Sequence, residues 1–212
     1  MIDIIVPTFG RPKAVGRIVE NLKTVMHLPY NLLFLVERVD HDTIREFLAL
    51  TYTKFVVGNF KSYANAFNCG YMLTDNPFVF WGSDDIEFTW GWDTEATNLL
   101  QNPNVHVVGV NSSGQPNDRC NLQFLFRRKY VEDKSLVVGS PNLPAFPYYH
   151  NFVDTELNWT ARNRGIFQPC VSSIVKHLRP DTDTDDTYKK NNSTGHLDRE
   201  TYLSRKHLFN GV

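Results

Sequence analysis

Apolar residues along this chain gather in short unbroken runs that stop at polar or turn-forming residues. Residues 2–7, 31–37, 54–57, 78–81 and 105–110 carry such runs. Strands covered on both faces read this way, so each run predicts a buried parallel strand. Between them, apolar positions recur at helical spacing. Val15, Ile18, Val19 and Leu22 follow Pro12, which suits a first helical turn, and residues 41–50, 62–73 and 90–100 read as further helices. Strand and helix alternate as far as residue 110. That order predicts an α/β domain with a mostly parallel central sheet, right-handed crossovers and helices on both faces.

Beyond residue 110 the pattern loosens. Residues 111–121 are polar and turn-rich, 122–126 form a short strand, and 139–150 are rich in proline and glycine. Such a loop beside a rigid scaffold is where specificity usually lies. A helix over 151–163 and a late strand reaching His177 follow. Residues 181–195 are acidic and then basic, without apolar periodicity, which predicts a lid or a disordered segment.

Composition narrows the classes. The 212 residues suit one domain with a tail, and a net charge of −1 leaves no global field for nucleic acid or membrane. Cys69, Cys120 and Cys170 lie far apart, match no zinc spacing and are odd in number, which fits a reducing compartment. The first strand starts without a basic leader, and no apolar run is long enough to span a bilayer. A cytoplasmic protein is expected.

The chemistry centres on residues 78–87. The run Phe78-Val79-Phe80-Trp81 stops at Gly82-Ser83 and opens into Asp84-Asp85. Ligands of open α/β sheets bind beyond the carboxyl ends of the strands. Two adjacent carboxylates repel unless a cation joins them, and a hard divalent metal would do so while holding substrate phosphates.

The ordered features resemble a glycosyltransferase of the GT-A fold, family-2-like, in a compact bacteriophage type. Ile4-Ile5-Val6-Pro7-Thr8-Phe9-Gly10-Arg11-Pro12 resembles the first-strand motif that receives the nucleotide. Glu37 stands where the family has an acidic residue near the base and ribose. Ala66-Phe67-Asn68-Cys69-Gly70 resembles an Ala-Arg-Asn-x-Gly motif with Phe67 in place of the arginine. Gly82-Ser83-Asp84-Asp85 resembles the Asp-x-Asp region, with Gly82 at the first aspartate. The resemblance implies that Asp85, Asp84 and His177 hold Mn²⁺ or Mg²⁺. It also implies that Pro7, Thr8, Phe9, Arg11, Glu37, Asn68, Ser83 and Asp84 bind the nucleotide-sugar. His150 to Leu157 resembles the acidic motif that supplies the base, for which Asp154 stands first and Glu156 second. Residues 1–180 would form the GT-A domain, with 1–110 the nucleotide-sugar half, 111–180 the acceptor half and 181–212 a tail or lid. The expected activity is metal-dependent transfer from a nucleotide-diphosphate sugar, a UDP-sugar first, to an acceptor hydroxyl with inversion. A modified DNA base, a virion protein or a glycan would be the acceptor, in the host cytoplasm if the chain is phage-encoded.

Plainer roles stand beside these. Pro7-Thr8 could simply end a strand. Asp154 and Glu156, two apart, point to different sides of a helix, and acids there also stabilise the macrodipole by about 0.3–1 kcal/mol. Trp90-Gly91-Trp92 reads as packing, or as a wall for the donor sugar, and Arg127-Arg128-Lys129 as a solvated face. Three other classes compete. A polymerase palm also carries Gly-Asp-Asp, but on a hairpin and with fingers and thumb for which this sequence offers no segments. A sugar nucleotidyltransferase would need a glycine-rich loop that Thr8-Phe9-Gly10-Arg11 does not supply. A catalytically silent sugar-nucleotide or glycan-binding module would keep the Pro7 and Glu37 region without turnover.

Overall fold

A computed structural model of the chain describes residues 1–51, 53–112, 123–178 and 185–209. The polar stretch after Ser112, Cys120, the Arg179-Pro180 end of the late-strand motif and the acidic start of the tail lie outside those residues. Strand β1 (Ile2–Thr8) is central, with β2 (Tyr30–Glu37) and β3 (Lys54–Gly58) on one side and β4 (Phe78–Trp81) on the other. All three pairings are parallel, as unbroken apolar runs require. The sheet continues from β4 through β7 (Gln123–Arg127), β6 (Val107–Ser112) and β8 (Phe167–His177) to β5 (Ile86–Phe88), making eight strands among the described residues. β7 runs antiparallel to both its neighbours, and β5 is antiparallel to β8.

The two-residue period of the strands builds two cores. Ile2, Ile4 and Val6 face one way, onto α1 (Pro12–Val25), α2 (His41–Ala49) and α4 (Trp92–Leu99). Ile5, Leu33, Leu35, Val79 and Trp81 face the other, onto α3 (Tyr63–Met72), α5 (Arg128–Lys134) and α6 (Val153–Asn163). The predicted α/β class with helices on both faces is therefore the observed one. Gly70 allows α3 to lie close on the sheet, because a Cβ there would stand 2.6 Å from Ile5 and 2.8 Å from Leu35.

Three features depart from the sequence reading. β5 is a three-residue strand that no apolar run announced. The tail is a helix, α7 (Asp186–Phe209), without a continuous apolar stripe: polar contacts hold most of it, while Tyr202 stacks on Phe152 and Phe209 is buried. The basic triplet is not a solvated face except at Lys129. Arg127 donates to the carbonyls of Val105 and Leu100. Arg128 donates to the carbonyls of Tyr71 and Asn76 and to the buried carboxylate of Asp3 at 3.0 Å. Breaking a buried pair strands the other charge, so Arg128→Ala should lower stability by about 3 kcal/mol, measured by urea unfolding.

Candidate functional site

The ends of β1, β2 and β4, the end of β8 and the start of α6 surround one cavity of about 410 Å³. Asp84 and Asp85 lie at its floor, only 4% and 8% exposed. They sit there because the chain turns sharply after Trp81. The Gly82 N–H donates to the carbonyl of Ile5 at 3.1 Å, and a Cβ on Gly82 would come within 2.5 Å of that oxygen. An aspartate has no room at this position, which accounts for the glycine. Arg17 of α1 braces the turn by donating to the carbonyl of Asp84 at 2.6 Å, and Tyr63 donates to that of Gly82 at 2.7 Å.

The two carboxylates face different partners. Asp84 Oδ2 accepts from the Thr8 hydroxyl at 2.9 Å and from the Phe9 N–H at 3.3 Å, while its Oδ1 accepts from Arg11. Asp85 Oδ1 accepts from the Ser83 hydroxyl at 2.7 Å. Its Oδ2 lies 3.2 Å from His177 Nε2, 3.2 Å from the Tyr188 hydroxyl and 3.4 Å from Arg11. Burial pushes the Asp84 carboxyl up to about 6, with Arg11 opposing and the Asp85 charge adding. Burial acts on Asp85 as well, but the His177 contact, Ser83 and Arg11 outweigh it and hold that carboxyl well below the usual range. A proton entering the pair would go to Asp84.

His177 reaches this point through strand register. Val110 pairs with Cys170 but Asn111 with Ile174, so residues 171–173 bulge out of the ladder and β8 turns onto β5. Ile86 then pairs with His177, and the Leu178 N–H donates to the carbonyl of Asp85 at 2.7 Å. Among the described residues no three His, Cys, Asp or Glu side chains form a ready cluster for a metal. Asp85 and His177 form a pair: an anionic oxygen and an imidazole nitrogen at the spacing of neighbouring ligands. His177 Nδ1 is buried and unpartnered, so no other bond claims the ring. This donor set fits one divalent cation with positions left for phosphate and water.

Pro7, Thr8, Phe9, Arg11, Glu37, Ser83, Asp84, Asp85, Asp154 and His177 all line the cavity. Asn68 and Glu156 do not. Asn68 is buried and accepts from the Ala145 N–H at 2.9 Å, fixing the loop before α6. Glu156 is fully buried and accepts from Arg205 at 2.7 and 3.0 Å and from the Tyr148 hydroxyl at 2.6 Å. Its carboxylate is taken up by Arg205, Tyr148 and the Val138 N–H, away from the cavity, and ties α7 to α6. Asp154, two residues earlier, turns into the cavity, and burial raises its pKa. Phe67 is fully buried against Trp81, and Trp92 against Phe80 and Phe88, and neither lines the cavity. Trp90 is exposed at the edge of His27 and does not wall the cavity. Reading the sequence missed Tyr63 and Trp81 as lining residues, and with them Tyr188 of α7, whereas Lys190 belongs to the basic part of the tail expected near the diphosphate. The aromatic pair was concealed in ordinary apolar patterning, and Tyr188 in a segment without periodicity.

The sheet order, with helices on both faces, is that of a GT-A α/β domain. The architecture is similar to residues 1–349 of S. aureus TarS in complex with UDP-GlcNAc, with a TM-score of 0.61 and 9% identity over 85% of this chain and 59% of that one. It is similar to the mannosyltransferase PcManGT from Pyrobaculum calidifontis in complex with GDP-Man and Mn²⁺, with a TM-score of 0.60 and 11% identity over 96% and 64%. Glucosyl-3-phosphoglycerate synthase from Mycobacterium tuberculosis, in complex with Mn²⁺, UDP-Glc and phosphoglyceric acid, matches with a TM-score of 0.61 and 12% identity over 86% and 73%. The chain spans less than two thirds of the length of the first two. No protein-family model and no curated protein matches the sequence. What is shared at these identities is the fold.

Proposed function

We propose that the protein is a metal-dependent glycosyltransferase that moves a sugar from a nucleoside-diphosphate donor, a UDP-sugar first, to an acceptor hydroxyl. The observation that carries this reading is the meeting of Asp85 with His177 at 3.2 Å in a cavity that also takes in Asp154. Glu37 at the end of β2 and Phe9 at the end of β1 stand where a base and ribose would be received. Arg11 offers a permanent cation beside the diphosphate position. Asp85 and His177 would hold Mn²⁺ or Mg²⁺, and the bound cation would neutralise the charge left on the departing diphosphate. Asp154 takes the proton from the acceptor oxygen as that oxygen attacks the anomeric carbon. One displacement with one base inverts that carbon.

The neighbouring structures hold UDP-GlcNAc, GDP-Man and UDP-Glc, two of them with Mn²⁺, which supports the donor class. The bacteriophage-type resemblance adds a modified DNA base, a virion protein or a glycan as acceptor. No helix among the described residues is long and apolar enough to cross a membrane, and we read the site of action as cytoplasmic.

A thermal-shift screen of UDP- and GDP-sugars with Mn²⁺ tests the donor. A ligand specific for the folded state at a hundredfold excess over its Kd adds about 2.7 kcal/mol of apparent stability. Nucleoside-diphosphate release from the hit should require a divalent cation. Binding without any release, with or without Mn²⁺ and across the acceptor classes, would convert the reading to a silent binding module.

A further inference from the structure

The first turns of α7 lie inside the donor half of the cavity. Asp185 makes two 2.9 Å bonds with the guanidinium of Arg11, and the Tyr188 ring lies 5.2 Å below that guanidinium. The Thr187 hydroxyl donates to the carbonyl of Phe9. The Tyr188 hydroxyl donates to Asp85 Oδ2 at 3.2 Å. Lys190 Nζ sits 3.8 Å from the centre of the Phe9 ring and 3.6 Å from the Glu37 carboxylate. Apart from the Thr187 bond, each contact uses a group that a nucleotide and its cation would need: the ring face, the carboxylate ending β2, the arginine, and the oxygen shared with His177.

The two halves of α7 are held very differently. In the C-terminal half, the fully buried Asp198 accepts from the N–H groups of Tyr149, His150 and Asn151 at 2.7–2.8 Å. Arg205 pairs with Glu156, and Phe209 is buried. Among the described residues, none of the apolar core belongs to positions 185–195. Those positions are held by polar contacts at the cavity rim. Between the halves runs Asn191-Asn192-Ser193-Thr194-Gly195, five residues of weak helix propensity. Local opening is easiest where apolar contacts are few and the backbone prefers other conformations.

We infer that the first turns of α7 are a displaceable plug of the nucleotide site. They give way at 191–195 when donor and cation enter, while Asp198 and Arg205 keep the rest of the helix in place. This rests on the nucleotide reading above and reverses the sign expected of a lid. A lid grips the donor and gains order; a plug competes with the donor and loses it. A ligand shifts such an equilibrium only by its preference for the open form, and the closed population weakens its apparent affinity.

The test is calorimetric titration of UDP and GDP, each with Mn²⁺, into the wild type and the Tyr188→Phe/Lys190→Ala double variant. Hydrogen exchange on the wild type accompanies it. The variant should bind at least about fivefold more tightly, since it lacks a charge-assisted hydrogen bond and a cation–π contact that favour the closed form. Nucleotide should increase exchange in amides 188–195 and leave 198–208 protected. Weaker binding by the variant, or slower exchange at 188–195 with nucleotide, overturns the plug and leaves the nucleotide site standing. Failure of both forms to bind either nucleotide removes the nucleotide site itself, and the plug with it.

Discussion

Asp85→Ala is expected to leave no measurable sugar transfer and to make nucleotide binding indifferent to Mn²⁺. Asp85 Oδ2 is the meeting point of the floor of the cavity, the end of β8 and the first turn of α7. Its pKa is held low, so the group is a full anion at neutral pH and suits a hard cation. Removing it takes away the anionic partner of His177. Several kcal/mol of charge stabilisation for the leaving diphosphate would go with it, a loss of about 10³-fold or more in rate. His177→Ala should weaken metal affinity less completely, since one neutral ligand is lost rather than the charge. Calorimetry with Mn²⁺ and UDP, paired with a diphosphate-release assay, reads both effects. Near-normal turnover by Asp85→Ala with Mn²⁺ present would refute the metal assignment.

The second large effect belongs to Asp154. Asp154→Asn keeps the shape and removes the basicity, so donor affinity should survive while turnover falls by about 10²–10⁴-fold. The sign of the pH dependence follows from burial. A base works only when ionised, and burial raises the pKa of Asp154, so activity should climb with pH through a limb above the ordinary aspartate range. That limb should vanish from the residual activity of the variant. Glu156→Gln is the informative control. Glu156 is buried against Arg205, so its loss should appear as about 3 kcal/mol in urea unfolding and leave the pH limb unmoved. An unchanged limb in Asp154→Asn would send the search for the base elsewhere along the cavity.

The contrast between those two acids shows what the sequence could and could not disclose. β1 to β4 were legible because strands buried on both faces must be apolar throughout. Thr8, Glu37 and Asp85 announced themselves as the polar residues at or just beyond their ends. Asp154 and Glu156 share one motif, and their spacing said only that they diverge. Which one meets the cavity depends on Arg205, a partner 49 residues away from Glu156. α7 was illegible for a related reason. A helix held by Asp198 on three backbone N–H groups and by Arg205 on a carboxylate needs no apolar stripe, so periodicity had nothing to find. Arg127 and Arg128 misled in the opposite direction. Backbone carbonyls and Asp3, brought together by the sheet, satisfy charges that composition alone assigns to water.

The bulge in β8 has a bearing on how this site tolerates changes of chain length. Residues 171–173 stand outside the ladder, tied by contacts to Asn111, Glu95 and the Trp92 carbonyl. A residue gained or lost there disturbs those contacts but need not shift the pairing of Ile86 with His177. Between Ile174 and His177 there is no slack. One deletion in that stretch slides the strand by a residue and exchanges its two faces, setting Leu178 where the imidazole belongs. Four residues of strand thus act as a ruler measured from the bulge to Asp85, and length variation among active relatives should fall on the bulge side of Ile174.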